Sequence, residues 1–263
     1  MKIRAIAFNT FSSLVRNKVI ILFCAMFACI VLFMLMPLMM AKSMAKSIGA
    51  GQSATMVLGM VSAVTMMVTG FGSLLAIWAS ADAVASEIRS GTVLAVMARP
   101  VRRWEFLLGK FLGVQMMMAI YVVAMLLLSY LLTWLGGERL GSSPVLLILY
   151  PMVRYAVYSA LAILLVTVMH PVVAFVCGFV VAVLSSMVSP SAGHSVFPAA
   201  IRLGLYVLLP STGLLSEERF LALTQSPLKA APFTDHLIAL TYGLDYALVC
   251  FLLAAWVFRR RPL

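Results

Sequence analysis

The sequence predicts an all-α integral membrane protein. Its plan is an N-terminal interfacial helix, six transmembrane helices, a short cytoplasmic helix after the second span and an outer re-entrant segment before the sixth. Three observations predict it. The 263 residues are 64% hydrophobic and only 10% charged, whereas a soluble domain carries about 45–50% apolar and about 25% charged residues. Six apolar stretches approach or exceed the roughly 20 residues that a helix needs to cross a bilayer. The basic residues, which give a net charge of +11, lie at the edges of those stretches. That placement suits membrane orientation and leaves no basic patch for a nucleic acid.

The elements follow in order. In residues 1–18, MKIRAIAFNTFSSLVRNK, Ile3, Ala7, Phe11, Leu14 and Val15 fall on one helical face, and Asn9, Ser12, Ser13, Arg16 and Asn17 mainly on the other. This pattern predicts a helix lying in the membrane interface, with Arg4 snorkelling at the apolar edge. The first span covers about 19–41. It exceeds the roughly 7–15 residues of a cleaved signal's apolar region and is read as retained. Spans two and three, about 54–81 and 106–135, are longer than a bilayer requires, so their ends project or tilt. Spans four and five, about 144–169 and 171–189, are parted by Pro171, which removes an amide donor and disfavours helix at His170. One long kinked helix is the other reading; it leaves five spans and puts the C-terminal arginines outside. Residues 190–236 hold five prolines. Within them FPAAIRLGLYVLLP, at about 14 residues, is too short to span and fits a re-entrant or interfacial helix. The sixth span covers about 237–258. The whole chain, 1–263, reads as a single transmembrane domain.

Orientation follows from the basic residues. With six spans the two termini share a side. That side holds Lys2, Arg4, Arg16 and Lys18, then Arg89, Arg99, Arg102, Arg103 and Lys110, then Arg259, Arg260 and Arg261, twelve of the 19. Lys42 and Lys46 run against the rule but do not outweigh them. Both termini and the segment after span two are therefore expected in the cytoplasm, with the chain in the inner (cytoplasmic) membrane.

That segment, 82–105, is DAVASEIRSGTVLAVMARPVRRWE. Asp82, Glu87 and Arg89 mark the exit from hydrocarbon. Gly91 breaks the helix, Thr92 can cap a new one, and Arg99-Pro100 stops it. Trp104 is an interfacial aromatic at the start of span three. Glu87, then Gly91-Thr92, then Arg99-Pro100-Val101-Arg102-Arg103-Trp104, then Gly109-Lys110, together resemble the signature of type-2 ABC transporter permeases. The match covers about 27 residues, and the surrounding plan is similar over most of the chain. The resemblance is nearest to the branch associated with nitrous-oxide-reductase maturation and gliding machinery.

The resemblance implies a membrane permease subunit that couples ATP hydrolysis by a separate subunit to export. The segment 82–105 would carry the coupling helix, and the contact with the ATP-binding subunit would be made by Glu87, Gly91, Thr92, Arg99, Pro100, Arg102, Arg103 and Lys110. ATP and Mg would sit on that partner, present in two copies, and a second permease, expected to be identical, would complete a homodimer. Small residues at Gly70-Phe71-Gly72-Ser73 and at Gly59 and Ala63 are candidates for the permease interface. The same plan suits an alternative in which the complex drives maturation or assembly of an extracytoplasmic, metal-related partner, contacted through 190–236.

Other chemistry finds little support. No G-x-x-x-x-G-K-[ST] occurs, so the chain is expected to be non-catalytic and to hold no nucleotide. Ser185 and Ser186 lie deep in span five, but no His or Lys is placed to activate them. The four cysteines, Cys24, Cys29, Cys177 and Cys250, lie in apolar runs without metal spacing, and no metal ligand set is expected. Met34, Met36, Met39, Met40 and Met44 crowd the outer end of span one, and thioethers suit Cu(I). The same density recurs at Met116-Met117-Met118, so the methionines read as apolar filler. Arg154 and Asp245 each lie roughly 12–15 Å from the outer side, at about 1.5 Å rise per residue. Charges at that depth require partners, so the two are expected to pair or to line one polar cavity.

Overall fold

A computed structural model describes residues 2–48, 50–90, 102–136, 144–187, 209, 210, 215 and 233–260. It contains seven described helices: α1 (Lys2–Val15), α2 (Lys18–Ile48), α3 (Ala50–Ser90), α4 (Arg103–Gly136), α5 (Pro144–Val168), α6 (Pro171–Met187) and α7 (Phe233–Arg260). Among the described residues there are no strands. In hydrocarbon every backbone N–H and C=O must bond within its own segment, and a helix does that locally.

Among the described residues, four helical stretches are long and apolar enough to cross a membrane: Ala63–Glu87, Arg103–Leu132, Val145–Val168 and Thr234–Arg260. A fifth is reached if Ile3–Val15 and Lys18–Ile30, which meet at 58°, count as one broken span. The described residues thus show four or five of the expected six spans; α6, at 17 residues, is a shorter apolar helix. Helix α3, at 41 residues, extends about 60 Å, twice the roughly 30 Å of hydrocarbon. The overlong second span of the sequence thus becomes a helix that projects beyond the bilayer.

Contacts give the directions. Asn17 bonds Asp82 and Phe23 stacks on Trp78, so α2 runs antiparallel to α3. Thr65 meets Ser129 and Thr69 meets Met125, so α4 runs antiparallel to α3. Gln115 donates to Ser159 and Tyr121 edges Tyr155, so α5 opposes α4. The chain breaks at Met169–His170, as Pro171 predicts, and α6 folds back on α5: Phe175 and Ala182 pack with Tyr158 and Ala162. Pro171 occupies the first turn, where a missing N–H costs nothing, and the His170 carbonyl accepts from Ala174 N at 2.9 Å. Tyr150 bonds His236, and Val153 lies against Gly243, so α7 runs parallel to α5. From α2 to α7 successive helices thus alternate in direction. Helix α5 is central, packed against α3, α4, α6 and α7, and Tyr155, Tyr158 and Ile163 are fully enclosed.

Hydroxyls inside this apolar bundle bond back along their own helices. Thr69 donates to Thr65 O, Ser73 to Thr69 O, Ser129 to Met125 O and Ser185 to Val181 O. Each such bond removes the cost of an unpaired hydroxyl without needing a neighbour.

Helix α1, expected at the membrane interface, docks one face on the bundle. Ala7, Thr10 and Leu14 are buried, while Phe8 and Val15 point outward. The buried face rests on α4 at Gly109 and Gly113. A Cβ at Gly109 would meet Ile6 Cγ2 at 2.6 Å, and one at Gly113 would meet the Ala7 carbonyl oxygen at 2.7 Å. The two glycines, four residues apart, open a flat strip on which the α1 backbone lies, as small-residue spacing does between membrane helices.

Candidate functional site at the basic end of the bundle

The alternating directions bring one end of each helix together. The start of α2, the end of α3, the start of α4, the α5–α6 turn and the end of α7 share that end, and α1 lies over it. Lys18, Arg102, Arg103, Lys110, Arg259 and Arg260 all lie there.

The first turn of α4 is built by its own sequence. The Arg102 carbonyl accepts from Glu105 N at 2.9 Å and from Phe106 N at 3.2 Å. Glu105 Oε2 in turn accepts from Arg102 N at 3.0 Å. This is the carboxylate half of a capping box, with Glu105 three residues past the cap. It starts α4 at Arg103 and leaves Trp104 exposed at the interface.

Arg103 reaches α7. Its Nη1 donates to the Phe258 and Arg259 carbonyl oxygens, each at 3.1 Å. Terminal carbonyls have no partner within their own helix, and a cation there also suits the helix dipole. Arg103→Gln is expected to fray the last turn of α7 and to destabilise the fold by about 1.5–3 kcal/mol, the range for hydrogen bonds to a charged group. Amide exchange of residues 257–260 reports this directly; unchanged protection counts against it.

Lys110 is only 3% exposed. Its ammonium bonds Glu87 Oε1 near the end of α3 and sits 5.6 Å from the centroid of the Phe106 ring. Phe106 stacks on Phe258 of α7 with centroids 6.2 Å apart. About two turns of α4, from Arg103 to Lys110, therefore hold α3 through an ion pair, α7 through a ring stack and an arginine cap, and α1 through Gly109.

The sequence-predicted residues thus divide. Arg102, Arg103 and Lys110 start α4 and Glu87 ends α3, all in one cluster. Glu87 and Lys110 face each other. Arg102 is exposed, whereas Lys110 is enclosed. Gly91, Thr92, Arg99 and Pro100 lie outside the described residues, as do most of 190–236. Arg154 is half-buried, and its Nε has no hydrogen-bond partner. Asp245 is exposed. Gly243 is one of the α7 residues turned to α5, and two residues later the helix has turned about 200°. That rotation carries Asp245 away from Arg154, and no ion pair joins them within the chain. Gly72 is taken up internally by Tyr155 and Tyr121, while Gly59 and Gly70 face open space.

Several residues of the cluster escaped the sequence reading. Asn17 caps α2 by accepting from Val19 N at 3.1 Å and donates to Asp82 at 3.0 Å, fastening the α1–α2 corner to α3. An Asn before an apolar run is a cap signal. Gly113 was legible as the second member of a small-residue pair. Phe106 and Phe258 carry no sequence signal that separates them from other apolar residues. No group of three or more His, Cys, Asp or Glu able to hold a metal occurs among the described residues.

Comparison with known families matches the description ABC-2 family transporter protein over residues 4–263. The chain belongs to that family. Among curated proteins none matches it. The cluster just described coincides with the second half of the signature, from Arg102 to Lys110. An ABC-2 chain is a multi-pass membrane protein, generally the non-catalytic membrane subunit, and implies an ATP-binding partner subunit.

Proposed function

We propose that this ABC-2 chain is the permease of an exporter, and that ATP hydrolysis on a separate subunit reaches the membrane helices through the basic end of the bundle. In this reading α2 and α6 serve as the first and fifth of six spans. The basic end faces the cytoplasm of the inner membrane, and the segment 82–105 carries the coupling helix. Two permeases and two ATP-binding subunits make the complex. The observation that carries the reading is the fastening of α1, α3, α4 and α7 around Arg103–Lys110, beside a segment that leaves α3 and enters α4. A push on that segment meets four membrane elements at once.

Co-expression with the ATP-binding subunit tests it. Wild type is expected to recover a two-plus-two complex, and Arg99→Ala/Arg102→Ala to recover markedly less while remaining monodisperse. Failure of the wild-type chain to retain any ATP-binding subunit sinks the proposal.

A further inference from the structure

We propose that Glu87 and Lys110 are positioning residues: a buried latch that makes the ends of α3 and α4 move as one body. This rests on the permease reading and deepens it. The signature alone suggests surface groups that touch the ATP-binding subunit. The structure turns Lys110 inward, 3% exposed, onto Glu87 and the face of Phe106. A charge so enclosed has little to offer an external partner. It has much to offer an internal one, because separating it from its carboxylate leaves an uncompensated charge in an apolar site. The latch lies where the chain leaves α3 and returns into α4. The same turns hold α7 through Phe106–Phe258 and the Arg103 cap. A force applied to residues 91–101 would splay two independent helices. With the latch closed it tilts α3, α4 and α7 together.

The test uses the full chain, its native cysteines replaced, reconstituted with the ATP-binding subunit. Complex recovery and the ATPase rate relative to the free subunit are read together. Lys110→Met and Glu87→Gln are expected to retain the subunit but to lose about fivefold or more of the ATPase response, the lower bound of ordinary coupling between sites. E87K/K110E is expected to regain part of it. In E87C/K110C the response is expected to be lost when the thiols are free and recovered when a short bifunctional thiol reagent joins them. A covalent tie restores the rigid connection without restoring charge.

Three results overturn the latch. The cross-linked protein stays uncoupled, which means that α3 and α4 must separate. The single variants lose the subunit while monodisperse, which makes them direct contacts. The single variants match wild type. A variant that fails to fold is replaced by the cross-linked pair, whose two thiol states are compared in one preparation. If wild type itself binds no ATP-binding subunit, the permease reading fails first and the latch's role falls with it.

Discussion

Gly113→Leu is expected to drive α1 off the bundle. A Cβ at this position meets the Ala7 carbonyl oxygen and Thr10 Cβ, each at 2.7 Å. The first obstacle is backbone, so no rotamer relieves it, and α1 must shift bodily or leave. Overpacking a tight contact costs about 1–3 kcal/mol. Displacement adds the loss of the buried Ala7, Thr10 and Leu14 contacts. Ala7→Cys in a chain without other cysteines reports the state of α1. It is expected to react slowly with a water-soluble maleimide when Gly113 is present and quickly in the Gly113→Leu background. Gly113→Ala is expected to fall between the two. Equal labelling in all three backgrounds would show that the glycine strip is not what seats α1.

The second large effect is an asymmetry across the ion pair. Glu87→Ala leaves the Lys110 ammonium enclosed with no carboxylate, and removing one partner of a buried pair costs about 3–5 kcal/mol. Lys110→Met leaves Glu87, whose side chain is 20% exposed, and a carboxylate that reaches water loses less. The double replacement E87A/K110M removes both charges and is expected to cost less than Glu87→Ala alone. Unfolding in mixed detergent micelles, read as a double-mutant cycle, checks the order Glu87→Ala worst, Lys110→Met intermediate and the double least harmful. Additive effects of the two single changes would deny the pair any energetic role.

How much of the site was readable from the chain depends on the range of the interaction. The start of α4 follows from Arg102 and Glu105, three residues apart. The α5–α6 break follows from one proline. Both are local, and both occur where the residues predict. Lys110 is different. A lysine seven residues into an apolar helix reads as a surface anchor, and only the packing of α3 on α4 gives it a carboxylate partner 23 positions away. Asp245 shows the converse. Its depth in α7 suggests a pairing with Arg154, but α7 turns Ala239, Gly243, Ala247 and Cys250 toward α5, and Asp245 is exposed.

The amino-acid sequence by itself determined the solvent, the helical class, the places where helices start and break, the basic end and the family. Each depends on composition or on residues a few positions apart, because a helix in lipid closes its own hydrogen bonds. Only the tertiary structure decided which face of each helix turns inward, that α1 is docked on two glycines, and that Glu87, Lys110, Arg103 and Phe258 form one fastening. The reason is physical. Lipid tails are as apolar as the protein interior, so no hydrophobic gradient marks the inner face of a membrane helix. That face is chosen by shape and by polar partners, and the partners lie far apart along the chain.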